Sequence, residues 1–241
     1  MSTQQADIDF AKIKEHLASS EYTPWIWLFF GDSITHGAKH THGFRSFPEV
    51  FNERLRWELG KTKDLVINSG ISGRHCGQLL DDDYEHLVKR HHPEVVFILI
   101  GTNDIVRYND SNLFKQYLTT LVRRLRSEGS IPVLQTCTPV LKDETNENVV
   151  ARFEKLPLYI SIIKEVANVE SVILVDHDAH WKEVAKDENS LKRLLGEFIH
   201  PGGAGHLEMA IAIFKRFDIY DSNSFCVNPI GTPQSLLDDK I

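Results

Sequence analysis

Six bulky apolar side chains, Trp-Ile-Trp-Leu-Phe-Phe at 25–30, lead directly into Gly31-Asp32-Ser33. A hydroxyl set where a buried strand gives way to a turn is either a helix cap or a nucleophile. A serine nucleophile needs a base, a group that orients the base, and donors for an oxyanion. The sequence holds a candidate for each. In the stretch EFIHPGGAGH, Glu197 lies three positions before His200, a spacing from which a carboxylate can reach the imidazole Nδ1. Gly73 offers a backbone N–H with no side chain in front of it, and Asn103 offers a side-chain amide. Asp32 reads as support for the serine turn and as a pocket residue.

The elements that must position these groups follow from hydropathy. Apolar runs at 25–30, 65–67, 95–100, 131–134 and 172–175 are hydrophobic on both faces, as strands of a buried parallel sheet are. Helical periodicity fills 46–59, 78–91, 113–127, 149–166, 180–195 and 203–216. Alternation of strand and helix predicts a three-layer α/β/α sandwich with a five-stranded parallel sheet. In such a sheet the site lies outside the carboxyl ends of the strands. Those ends carry Gly31-Asp32-Ser33, Asn68 to Gly73 and Gly101-Thr102-Asn103-Asp104. Each is ordinary turn chemistry when taken singly; three together at one sheet edge make a constellation. Residues 25–220 read as one domain, preceded by an extension (1–24) with apolar residues at helical spacing and followed by an irregular tail (221–241). Nothing in the sequence fixes the oligomeric state.

Composition narrows the partners. The chain has 241 residues, 41% of them hydrophobic, and a formal charge of −7 with no long basic block, so nucleic acid is not an expected partner. No stretch reaches the roughly 20 apolar residues of a membrane span, and no signal-peptide pattern opens the chain. The three cysteines are far apart in sequence, which favours a reducing compartment and a cytoplasmic protein. Cys76 reads as buried filler and His206 as a helix-start residue. Twelve histidines, among them His36, His40, His42, His75, His86, His91 and His92, form no HExxH or other compact ligand spacing, so no metal is expected. His36 and His75 follow the turns and can line the pocket. Neither GxxxxGK[ST] nor GxGxxG is present, and no organic cofactor is expected.

The four blocks, Gly31-Asp32-Ser33-Ile34, Asn68 to Gly73, Gly101 to Asp104 and Glu197 to Pro201, occur in one order across most of the chain. In this they resemble the SGNH, or GDSL-type, hydrolase family of esterases and lipases. The resemblance implies a flavodoxin-like sheet of order 2-1-3-4-5, Ser33 as nucleophile and His200 as base. It further implies an oxyanion hole of the Ser33 N–H, the Gly73 N–H and the Asn103 amide. One position departs from the pattern: the family usually has aspartate where Glu197 stands. Glu197 is read as the orienting acid, with a backbone carbonyl, Asp176 or Asp178 as alternatives. The absence of GxSxG separates this serine from the nucleophile elbow of ordinary α/β-hydrolases.

Polar and charged residues near the presumed site, Arg74, His75, Arg107, Tyr108 and Asn109, suit a small acyl group on a polar leaving group. Phe198 and Trp181 either border the pocket or pack. The expected reaction is hydrolysis of short-chain, acetyl-type esters on a carbohydrate or another polar alcohol. The alternatives are a lipase, a lysophospholipase, an acyl-thioesterase or a non-catalytic binding module.

Overall fold

All five apolar runs become strands of one parallel sheet: β1 (Ile26–Gly31), β2 (Leu65–Gly70), β3 (Val95–Leu99), β4 (Ile131–Gln135) and β5 (Ile173–Val175), in the order β2-β1-β3-β4-β5. The computed structural model describes residues 4–108 and 110–228. Asn109 and residues 229–241 of the tail therefore lie outside the described residues. The helices are α1 (Gln5–Ala18), α2 (Ser33–His36), α3 (Phe47–Glu53), α4 (Cys76–Gln78), α5 (Tyr84–Leu87), α6 (Asp104–Arg107), α7 (Ser111–Ser127), α8 (Glu147–Val169), α9 (His177–Val184), α10 (Glu188–Leu194) and α11 (Gly203–Arg216). None of the described helices is long and apolar enough to cross a membrane.

Alternating strand residues feed two cores. Leu28, Phe30, Val96, Ile98 and Leu134 pack with α4, α7 and α8 on one face. Trp27, Phe29, Val95, Phe97 and Ile173 pack with α1, α3, α9 and α11 on the other. Phe29 stacks on Phe97 with ring centroids 4.5 Å apart, and burying each such ring contributes about 1.5–3 kcal/mol. The central strand β1 therefore has little freedom at its carboxyl end, where Ser33 follows.

Three helices depart from the periodicity. The 46–59 segment is α3 followed by a wide π turn at Arg54–Glu58. The 78–91 segment divides into α4, a π turn at Leu79–Asp83, α5 and a 3-10 turn at Lys89–His91. The widened turn buries Leu79, Leu80, Asp83 and Tyr84 together, and Asp83 is drawn to the Arg74 guanidinium at 2.7 Å. The 180–195 segment is two helices, because Asp187 caps a fresh start by accepting from the Ser190 N–H at 2.7 Å.

The N-terminal segment forms α1, which buries Ile13 and places His16 2.7 Å from Asp64. Residues 221–228 dock on the same domain, where the Phe225 N–H donates to Glu58 at 2.7 Å and Cys226 is buried.

Candidate active site

The serine is clamped before it is aimed. Gly31, the last residue of β1, leaves no room for a side chain: a Cβ there would lie 2.2 Å from the Leu99 carbonyl oxygen and 2.4 Å from Thr35 Oγ1. Gly70, at the end of β2, presses on α2 in the same way, with a Cβ position 2.4 Å from the His36 nitrogen. Asn68 hooks α2 from the side, donating to the Thr35 carbonyl at 2.9 Å and accepting from the Gly70 N–H at 3.0 Å. Asp32 caps α2 through the Ile34 N–H at 2.9 Å. Its carboxyl is only 1% exposed, and burial pushes its pKa up to about 6. Ser33 is thus the first helical residue on a turn fixed from three sides, and its side chain remains half-buried rather than sealed.

His200 arrives from a different kind of support. Leu195 and Pro201 form an antiparallel bridge, the Gly196 N–H donates to the His200 carbonyl at 2.8 Å, and the Gly202 N–H donates to the Leu194 carbonyl at 2.9 Å. The loop so closed holds Glu197 to His200. Its outer edge is tied down where the Leu141 N–H donates to the Phe198 carbonyl at 2.8 Å.

These supports bring the three side chains into line. Ser33 Oγ lies 2.7 Å from His200 Nε2, and His200 Nδ1 is hydrogen-bonded to Glu197 Oε1. The same carboxylate oxygen accepts from the His200 backbone N–H at 3.2 Å. That bond to the imidazole holds the Glu197 pKa below the usual carboxylate range. With a carboxylate accepting at Nδ1, the Nε2 lone pair is left facing the serine hydroxyl. Asp176 and Asp178 are occupied elsewhere: Asp176 caps α9 through the Ala179 N–H at 3.1 Å, and the two meet Lys164 at 2.7 and 3.5 Å.

Gly73 adopts the left-handed region at φ +83°, and a Cβ there would meet nothing within 4 Å. Its face is therefore open to an approaching group. Asn103 is held at both ends of its amide, donating to the Arg74 carbonyl at 3.0 Å and accepting from the Arg152 guanidinium at 3.1 Å. Behind it, buried Asp104 accepts from the Cys76 N–H at 2.8 Å, and burial pushes its pKa up to about 7.

The remaining pocket candidates are placed unequally. Arg74 contributes its carbonyl near Asn103, while its guanidinium pairs with Asp83. His75 Nδ1 lies 2.7 Å from the Tyr108 hydroxyl, and Arg107 is exposed at the end of α6 near His75. His36 Nδ1 lies 3.1 Å from Ser72 Oγ. Phe198 is 42% exposed on the base loop, whereas Trp181 is fully buried in the core. Cys76 is a buried thiol whose pKa burial drives well up. His206, in the first turn of α11, accepts from the Phe47 N–H at 3.2 Å, and burial lowers its pKa to about 3.

Two neighbours of Ser33, His200 and Glu197 were not assigned to the site from the sequence. The His40 ring stacks on His200 with centroids 3.7 Å apart and planes 7° from parallel. His40, Glu197 and His200 place potential ligand atoms within 4.8 Å of one another. An imidazole lone pair lies in its ring plane, so two parallel rings at that separation cannot both aim at one ion. His40 thus covers the His200 ring, and no motif announced it. Arg152, on α8, reaches the site from 49 residues beyond Asn103, a distance that no local pattern spans.

Comparison with known proteins agrees with this fold. The model of the GDSL-like Lipase/Acylhydrolase family matches residues 29–207. Axe2, an acetylxylan esterase from Geobacillus stearothermophilus, superposes with a TM-score of 0.68 at 23% identity, covering 84% of this chain and 96% of that one. LAE5, an alpha/beta hydrolase from the Lake Arreo metagenome, gives a TM-score of 0.70 at 20% identity, covering 83% and 99%. In sequence, the lipoprotein YqeF of Bacillus subtilis is 25% identical over 211 residues, covering 73% of this chain and 83% of that protein. A Mycoplasma pneumoniae protein is 37% identical over 79 residues, a third of this chain, which spans 9% of that relative's length. The chain belongs to the GDSL-like lipase/acylhydrolase family of carboxylic ester hydrolases.

Proposed function

We propose that the protein is a serine esterase that removes short acyl groups, acetyl above all, from a carbohydrate or similarly polar alcohol through an acyl-enzyme. The observation that carries this reading is the line Glu197–His200–Ser33, with 2.7 Å between Oγ and Nε2. His200 takes the Ser33 proton as Oγ attacks the ester carbonyl carbon. The resulting oxyanion is met by the Ser33 N–H, the Gly73 N–H and the Asn103 amide. Collapse of this intermediate expels the alcohol, which takes its proton from His200, and leaves Ser33 acylated. Water, deprotonated by His200, then releases the acid and restores the hydroxyl. Glu197 holds Nδ1 protonated and stabilises the imidazolium, the role the family usually gives to aspartate. With its extra methylene, Oε1 still reaches His200 Nδ1.

The acetyl and carbohydrate assignment is supported by the polar surroundings of Ser33 and by likeness to Axe2. Catalytic mutants of Axe2 replace a serine, an aspartate and a histidine, the residue types invoked here apart from Glu197. Three buried free thiols, Cys76, Cys137 and Cys226, suit a reducing compartment, and we place the enzyme in the cytoplasm. A second reading, a lipase or thioesterase for longer acyl chains, draws on an apolar cleft of about 770 Å³ between α8 and α9. That cleft is lined by Val140, Phe153, Leu156, Ile160 and Leu191. Its wall adjoins Leu141, the residue tied to Phe198.

A panel of esters varying in acyl length and alcohol, run on the parent and on Ser33→Ala, tests both readings. The expected outcome is fastest release from acetylated sugars and xylo-oligosaccharides, with Ser33→Ala reduced by about 10³-fold or more. Preference for medium-chain esters or thioesters would establish the second reading. Turnover undiminished in Ser33→Ala would overturn the mechanism.

A further inference from the structure

We infer that Arg152 is the positioning residue of the oxyanion hole, fixing the Asn103 amide so that one of its N–H groups faces the reacting carbonyl oxygen. The inference rests on the assignment of Ser33, His200 and Asn103 made above.

Four hydrogen bonds carry it. Arg152 Nη2 donates to Asn103 Oδ1 at 3.1 Å and Nε donates to the Thr102 carbonyl at 3.0 Å, so one planar guanidinium grips two consecutive residues of the loop after β3. Nη1 donates to the Asn148 carbonyl on the same helix at 3.1 Å, which locks the arginine against α8. Asn103 Nδ2 donates to the Arg74 carbonyl at 3.0 Å. A guanidinium has only donors, and a carbonyl has only acceptors. Turning the amide over would set NH₂ against the guanidinium and oxygen against a carbonyl, so only one orientation satisfies both neighbours. An amide nitrogen carries two hydrogens; Arg74 takes one, and the other remains for the oxyanion.

The charge acts with the geometry. A cation bonded to the amide oxygen polarises the amide and strengthens its N–H as a donor. Arg152 is half-buried, within electrostatic reach of Asp32 and Glu197, so its charge is felt where negative charge develops. Lysine is no equivalent here, because a single ammonium on a flexible stem cannot span Thr102 O and Asn103 Oδ1 with fixed orientation.

The test is steady-state kinetics on a small nitrophenyl ester for the parent, Arg152→Ala, Arg152→Lys, Asn103→Ala, the Arg152→Ala/Asn103→Ala pair and Ser33→Ala, each with a melting curve. Arg152→Ala is expected to lower kcat by at least about tenfold, toward the ~10²-fold cost of losing an oxyanion donor, with KM nearly unchanged. Arg152→Lys is expected to restore only a minor part. In the Asn103→Ala background, Arg152→Ala is expected to cost almost nothing more, since the group it positions is gone. If Arg152→Ala does not fold, Arg152→Gln, which keeps the length without the fork, takes its place in the cycle. A parent-like kcat in a folded Arg152 variant, beside an inactive Ser33→Ala, would overturn the inference alone. So would an undiminished further loss in the Asn103→Ala background, which would make Arg152 a general support of α8. Parent-like turnover by Ser33→Ala would instead overturn the nucleophile assignment beneath it.

Discussion

The turn that carries Ser33 and the loop that carries His200 meet at a 2.7 Å hydrogen bond, yet they are built on different principles. Ser33 stands at the end of a strand buried on both faces, with Gly31 and Gly70 packed against backbone so tightly that no Cβ fits. His200 stands on a loop closed by a few backbone hydrogen bonds, with Phe198 on the same loop 42% exposed. The carboxyls differ in the same sense. On the strand-end side, burial pushes Asp32 up to about 6 and Asp104 up to about 7. On the loop side, the bond to His200 holds Glu197 low. The sheet edge thus tolerates the cost of desolvated acids because packing secures it, while the loop keeps its acid ionised for work. Damage on the first side should appear as lost stability with lost activity; damage on the second should appear as lost activity alone.

Gly31→Ala breaks the comparison most severely. The new methyl meets the Leu99 carbonyl in the sheet itself, and overpacking of this kind costs about 3 kcal/mol. The melting temperature should fall by roughly 6–12 °C, with activity falling in step. Glu197→Gln should do the reverse: kcat drops about 10²–10⁴-fold because the imidazole loses its anionic partner, and the melting curve stays near that of the parent. Glu197→Asp, which restores the charge with one methylene fewer, should recover part of that loss. Gly196→Ala sharpens the contrast with Gly31→Ala. Its methyl would lie 2.4 Å from the His40 carbonyl oxygen, a comparable clash, but against a loop rather than a strand of the sheet. A kcat loss of about tenfold with a change of only ~2–4 °C in melting is expected; a collapse like that of Gly31→Ala would erase the distinction.

The smallest effect concerns pH. Asp104 has a folded-state pKa of about 7, above its unfolded value, so the folded state binds its proton more tightly. Its contribution to stability is fully present below pH ~4 and is lost as pH rises through about 7. Asp104→Asn keeps an acceptor for the Cys76 N–H and removes the charge. Its melting temperature relative to the parent should therefore climb by a few degrees between pH 4 and 8. A difference that stays flat across that window would contradict the burial argument.

Much of this was legible in the sequence because parallel strands buried on both faces announce themselves as unbroken apolar runs, and the residues that end them are exposed to inspection in one dimension. Ser33 and Asn103 were singled out in that way, and Glu197 with His200 by their three-residue spacing; the structure brings Ser33, His200 and Glu197 within hydrogen-bond reach of one another. What the periodicity concealed was local satisfaction of polar groups: Asp187 capping a new helix through Ser190, and Asp83 turning inward to Arg74 in a widened turn. What no pattern contained was the approach of separate elements. Arg152 reaches Asn103 only because α8 crosses the loop after β3, and His40 covers His200 only because two irregular loops pack ring on ring. Glu197 illustrates the boundary between the two: its spacing suggested the bond to His200, whereas the contacts of Asp176 and Asp178 with Lys164 lay outside any local pattern.

The central claim is that Ser33 carries the acyl group. Brief reaction with nitrophenyl acetate, acid quench and peptide mapping by mass spectrometry addresses it directly. One acetyl group on the peptide containing Ser33, absent from Ser33→Ala and accumulating in an enzyme whose deacylation is slowed by Glu197→Gln, is the predicted result. Steady hydrolysis with no acetyl on that peptide, undiminished in Ser33→Ala, would contradict it.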